Sequence, residues 1–86
     1  MKTTFFPYVA KDLQGNTIFQ SNMDVDNIIE LRRNEKYDIQ GKKMIFYVNR
    51  GDEDMTFTFD MKDIKEARKI YNDQKMEQHL TQKENK

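Results

Sequence analysis

The chain contains no cysteine, and that one absence removes disulfides, thiolate metal sites and cysteine nucleophiles together. Such a composition fits a reducing cytosol, so a cytoplasmic location is the expectation. There is also no tryptophan, only one proline, Pro7, and only three glycines, Gly15, Gly41 and Gly51. Each glycine falls at a predicted turn, which leaves none for a Walker-type phosphate loop or a dinucleotide fingerprint, and no Gly-x-Ser-x-Gly elbow occurs. Long apolar runs are missing as well. Phe5 to Ala10, interrupted by Pro7 and Tyr8, is too short for the apolar core of a secretion signal, and nothing approaches the roughly 20 apolar residues of a membrane helix. No membrane partner is therefore expected. Neither sign of charge is in excess: 15 Lys and Arg stand against 15 Asp and Glu. That balance argues against a protein whose main partner is nucleic acid, because such domains carry a basic excess or a basic stripe.

What remains is small and polar. At 86 residues, with 36% hydrophobic and 35% charged positions, the chain is one domain near the polar edge of globular composition. Four tyrosines, six phenylalanines and six methionines suffice for a small core. The Lys, Asn and Ile usage is of the sort found in accessory proteins of phages and mobile elements of AT-rich bacteria, although no motif carries that likeness.

The clearest stretch is Met44 to Met61, MIFYVNRGDEDMTFTFDM. Two β-rich runs alternate strictly, placing Met44, Phe46 and Val48 on one face of the first and Met55, Phe57 and Phe59 on one face of the second. A Gly51-Asp52 turn, glycine first as a type II′ turn prefers, sets Arg50 opposite Glu53, Val48 opposite Met55, Phe46 opposite Phe57 and Met44 opposite Phe59. All six apolar residues then share a face, so turn and pattern support one register. A Gly41-Lys42 turn extends the logic backwards, pairing Ile39 with Met44 and Tyr37 with Phe46. The expectation is a three-stranded antiparallel meander over 36–61, with Tyr37 and Ile39 joining the core face. A face this apolar needs a cover.

Upstream, Thr4 to Lys11 and Asn16 to Ser21 read as a hairpin closed by Asp12-Leu13-Gln14-Gly15, with Asp first and Gly where a left-handed residue is needed. Setting Asp12 opposite Asn16 puts Val9 against Phe19 and Ala10 against Ile18. Pro7, lacking a donor, marks a sheet edge or a bulge. Residues 24–33, DVDNIIELRR, are ambiguous. Val25, Ile28, Ile29 and Arg32 have helical spacing, acids precede bases, and Asn34 is suited to a left-handed helix end. The competing reading makes Ile29 to Arg32 a strand of a small barrel-like module. The last element is a helix with Asp60 as N-cap, Asp63 in a weak capping box, and a stripe of Ile64, Ala67, Ile70 and Tyr71. Beyond Tyr71 only Met76 and Leu80 continue it, and 81–86 read as a solvated tail to a single domain over 1–80.

The expected fold is thus α+β in the order ββαβββα, an antiparallel sheet covered on one face by the C-terminal helix. Candidates for chemistry are few. His79, the single histidine, has no neighbouring pattern to orient it as a base. Asp24-Val25-Asp26 and Asp52-Glu53-Asp54 lack the spacing of a calcium loop, and Arg50-Gly51-Asp52, which spells an adhesion tripeptide, already serves as a turn. No catalytic residue, cofactor or metal is expected, and the chain reads as non-enzymatic. The informative residues lie on the other face of the meander, where Ile45 and Tyr47 stand with Thr56 and Thr58 opposite and Lys36 and Asp38 alongside. Covered by the first hairpin or the short helix, they are simply structural. Left open, they form a flat amphipathic patch for a protein partner or a second copy. The leading expectation is a small regulator or inhibitor acting by docking or self-association. The alternative is a nucleic-acid binder that stacks bases on sheet aromatics and contacts phosphates through Arg32, Arg33, Lys42, Lys43 and Arg50.

Overall fold

Glycines with positive φ hold the meander in register. Gly41 (φ +60) and Gly51 (φ +65) each occupy the first central position of a two-residue turn, and no other residue type adopts positive φ among the described residues. The residue after each glycine therefore has negative φ, which matches the type II′ geometry that suits the right-handed twist of paired strands. The computed structural model describes the backbone of residues 4–84 and the side chains of 4–74. Its elements are β1 (Phe5–Lys11), β2 (Thr17–Asp24), α1 (Val25–Asn34), β3 (Lys36–Gln40), β4 (Lys43–Arg50), β5 (Glu53–Asp60) and α2 (Met61–Glu84). This is the ββαβββα order, and the fold is α+β.

The five strands form one antiparallel sheet in the order β2-β1-β5-β4-β3. In the meander Ile39 lies opposite Met44 and Tyr37 opposite Phe46, while Val48 faces Met55, Phe46 faces Phe57 and Met44 faces Phe59. The register is the one the two glycine turns imply. Hairpin β1-β2 joins this meander edge to edge, with Val9 opposite Thr58 and Lys11 opposite Thr56. That ladder stops at Val9, so Pro7 stands beyond it and its missing donor leaves no gap there.

Two details of the hairpin differ from the expected pairing. Lys11 pairs with Thr17, but Ala10 pairs with Phe19, leaving Ile18 as the extra residue of a β-bulge. The bulge shifts every later pair by one, so Val9 meets Gln20 and not Phe19. Phe19 consequently lies on the same face as Tyr8 and Phe57, with ring centroids 6.2 and 6.4 Å away. The turn itself is as read: the Asp12 carboxylate accepts from the backbone N–H groups of Gln14 and Asn16 at 3.0 and 2.8 Å, and Gly15 has φ +91. These bonds, that from Asn16 foremost, hold the Asp12 carboxyl below its ordinary value.

Both helices cover the same face of the sheet. Residues 25–34 are helical, with Val25, Ile28, Ile29 and Leu31 buried, which settles the ambiguous segment in favour of the helix. Asn34 does not take the left-handed conformation; the chain leaves α1 through extended backbone at Glu35, whose N–H donates to the Leu31 carbonyl. Extended exit suits a helix that runs straight into a strand. Ile64 and Ala67 of α2 join α1 and the inward residues of β1, β4 and β5 in one core, in which Phe46, Phe57, Phe59, Ile28, Met44 and Ile64 are all under 2% exposed. Each such side chain contributes about 1.5–3 kcal/mol through burial. Tyr37 and Ile39 point to this face but remain 43% and 52% exposed, because β3 is an edge strand at the margin of the helical layer. Of the expected tail, 81–86, only 85–86 lie wholly outside the described residues. Backbone helix continues to Glu84, and His79, Met76 and Leu80 belong to the stretch whose side chains are not described.

The junction of β5 and α2 carries an ion pair. Lys43 holds the Asp60 carboxylate, and the backbone N–H of Met61 donates to the Lys42 carbonyl at 2.8 Å. The hydrogen bond from Lys43, with the charges of Lys43 and Lys62 added to it, draws the Asp60 carboxyl below 3.8 despite the opposing effect of desolvation. A carboxyl depressed in the folded state stabilises above its unfolded pKa, and the contribution disappears as pH falls through the folded value. Asp60→Asn should therefore lower the thermal midpoint slightly near neutrality, where the contribution is present, and converge with the wild type as pH falls below 3.8, which thermal melts across an acid series will show.

Candidate functional site

With both helices on one side, the opposite side of the sheet has no layer over it among the described residues. Its composition follows from strand parity. One row across the sheet reads Gln20, Val9, Thr58, Ile45, Asp38, and the next reads Lys11, Thr56, Tyr47, Lys36. The residues singled out from the sequence, Ile45, Tyr47, Thr56 and Thr58, are thus brought together as two directly opposed cross-strand pairs, Ile45 with Thr58 and Tyr47 with Thr56. Tyr47 is 43% exposed, and Ile45, Thr56 and Thr58 are half-buried by their neighbours alone. The first hairpin does not cover them, because it extends the sheet sideways.

That sideways addition places two residues in the patch that the sequence reading missed. Val9 and Lys11 of β1 sit beside Thr58 and Thr56, and the Thr56 hydroxyl donates to the Lys11 carbonyl at 3.5 Å. Alternation within β1 puts both on one face; nothing local says that β1 lies against β5. The resulting surface has an apolar centre of Val9, Ile45 and Tyr47, threonines between, and Lys11, Lys36 and Asp38 around it. At one end an open depression of about 450 Å³ lies between Tyr47, Met55, Val48 and the exposed Leu13. At the other, where β1 and β5 part, a second of about 330 Å³ is lined by Pro7, Val9, Asn22, Thr58 and the Lys43–Asp60 pair.

The five basic residues of the alternative reading do not converge. Arg32 lies over the Tyr37 ring at 5.8 Å, Arg33 over Tyr71 at 5.4 Å, and Arg50 over Phe57 at 5.5 Å. Arg33 also donates to the Tyr71 hydroxyl at 3.1 Å. All three belong to the helix-covered side, whereas Lys43 is engaged by Asp60 and Lys42 sits in the β3-β4 turn. Cations stacked on rings of their own chain contribute to packing. Among the described residues no three His, Asp or Glu side chains are arranged to hold a metal ion, and no helix is long and apolar enough to cross a membrane.

Comparison of the chain with protein-family models, with curated proteins and with solved structures finds no match.

Proposed function

We propose that this chain is a small, non-enzymatic binding protein, a regulator or accessory factor of the cytoplasm of the kind mobile elements encode, which acts by docking a protein surface onto its open sheet face. One observation carries the reading: Ile45 and Tyr47 stand at the centre of a sheet face that neither helix covers. A flat surface with an aromatic and two aliphatic groups at its middle and mixed charge at its rim has the anatomy of a protein contact. Tyrosine in particular contributes large contact area while keeping a polar tip for water or a hydrogen bond.

The test is capture from native cytosol by immobilised protein, comparing the wild type with an Ile45→Ser, Tyr47→Ser double variant. Both changes are on the uncovered face, so the circular dichroism spectrum and a cooperative melt should persist. The double variant should lose a partner that the wild type retains, by about tenfold or more, as expected for a hot-spot aromatic. Equal capture by both proteins would remove this face from the function. A mobility shift with single-stranded or duplex nucleic acid at low salt, weakening steeply as salt rises, would favour the nucleic-acid alternative instead.

A further inference from the structure

The two edges of the sheet are built differently. β3 carries Lys36 and Asp38, and the Asp38 carboxylate accepts from the backbone N–H of Ile39 at 3.0 Å and from the Gln40 side-chain amide at 3.1 Å. Charged side chains on a short edge strand, and a carboxylate occupying a backbone donor, blunt that edge against pairing. β2 has none of these devices before its last residue, Asp24. From Thr17 to Met23 it contains no charged residue and no proline, and its residues up to Asn22 are exposed. Phe19 is 42% exposed and Ile18 46%. A long, uncharged, exposed edge is a template for another strand.

The geometry points to a second copy of this chain as the occupant: we infer that β2 pairs antiparallel with β2 of a partner molecule across a two-fold axis at Ser21. The bulge at Ile18 interrupts regular backbone on one side, and α1 begins at Val25 on the other, so the regular edge runs from Phe19 to Asp24. Opposed residues in a two-fold antiparallel pair share a face, which requires the axis to pass through a residue. With the axis at Ser21, Phe19 meets the partner's Met23 on the helix-covered side, twice by symmetry. Gln20 meets the partner's Asn22 on the open side, where two amides can bond. No charge faces a like charge within Phe19 to Met23. An axis one residue later would set Gln20 against Asp24 and lose the Phe19–Met23 contact. The product is a ten-stranded sheet whose outer edges are the two blunted β3 strands. Pairing therefore closes at the dimer and does not propagate.

The inference is independent of the open-face reading, because the dimer leaves Ile45 and Tyr47 uncovered. The experiment is sedimentation equilibrium of the full chain up to millimolar concentration, on the wild type and two variants of exposed β2 residues. Wild type should reach the dimer mass. Gln20→Lys with Asn22→Lys sets lysine against lysine at both symmetric positions and should weaken dimerisation by about tenfold or more. Gln20→Lys with Asn22→Glu sets opposite charges against each other and should restore dimerisation to at least the wild-type level. A wild type monomeric throughout, a dilysine variant as dimeric as wild type, or a charge-paired variant as weak as the dilysine one would each overturn the proposal, given folded spectra for all three.

Discussion

Phe46→Ala should lower the free energy of unfolding by about 3–5 kcal/mol, the range for removing a buried aromatic ring and leaving a cavity. Phe46 is fully buried and lies edge-on to Phe59 at 5.7 Å and to Tyr37 at 5.9 Å. It is central to the three-stranded meander, opposite Phe57 on one side and Tyr37 on the other, and it lies under the helical layer. Stability of roughly 0.05–0.15 kcal/mol per residue makes this loss a large part of what a chain of 86 residues has. The variant should melt far below the wild type or be largely unfolded at physiological temperature. Phe19→Ala, at a ring 42% exposed, should cost about 1 kcal/mol. Urea titrations of the two variants against the wild type give both values. Equal losses would mean that the core does not sit between the meander and the helices.

Ile28→Asp should abolish cooperative unfolding at neutral pH. Ile28 is 0% exposed in α1, where an ionised carboxylate would lose its hydration. The cost exceeds the stability available. Because burial favours the neutral carboxylic acid, lowering the pH toward the acid range should recover part of the structure, provided that other carboxylates have not yet been neutralised. Glu30→Ala, on the exposed side of the same helix, should change stability by less than about 0.5 kcal/mol. The contrast between positions 28 and 30 is a direct reading of helical periodicity. In a strand with alternate burial, the two would share a face and respond together.

The meander was legible because its information is local. Strict alternation over Met44 to Phe59 and two glycine turns specify each other's register, and a one-residue slip would expose an entire apolar set. The hairpin register was not, since a bulge at Ile18 leaves no composition signal: Thr, Ile and Phe in succession suit regular and bulged strands alike. Parity places Tyr37 and Ile39 on the core face, and the face is correct. Their exposure depends on how far two helices reach across the sheet, a matter of tertiary placement. The helical periodicity of Val25, Ile28 and Ile29 competed with a β-branched strand reading, and only the packing of α1 against α2 and the sheet decides between them.

The candidate patch divides in the same way. Ile45, Tyr47, Thr56 and Thr58 could be assembled on paper from two hairpin turns. Their being open depends on the β1-β2 hairpin adding to the sheet beside β5 and on α1 crossing the helix side from one edge to the other. Those are choices among long-range arrangements that one sequence leaves undetermined. For the same reason Val9 and Lys11 could be placed on a strand but not beside the threonines.

The central claim is that one sheet face is packed and the other is free. Relaxation enhancement of side-chain protons by a soluble, uncharged gadolinium chelate measures it directly on the purified protein. The Tyr47 ring and the Ile45 methyl groups should be strongly enhanced, with Tyr47 approaching the exposed Leu13, while Phe46, Phe57 and Met44 of the opposite face are protected. Tyr47 and Ile45 shielded as well as Phe46 would mean that this face is covered in the free protein, and the docking surface proposed for it would not exist.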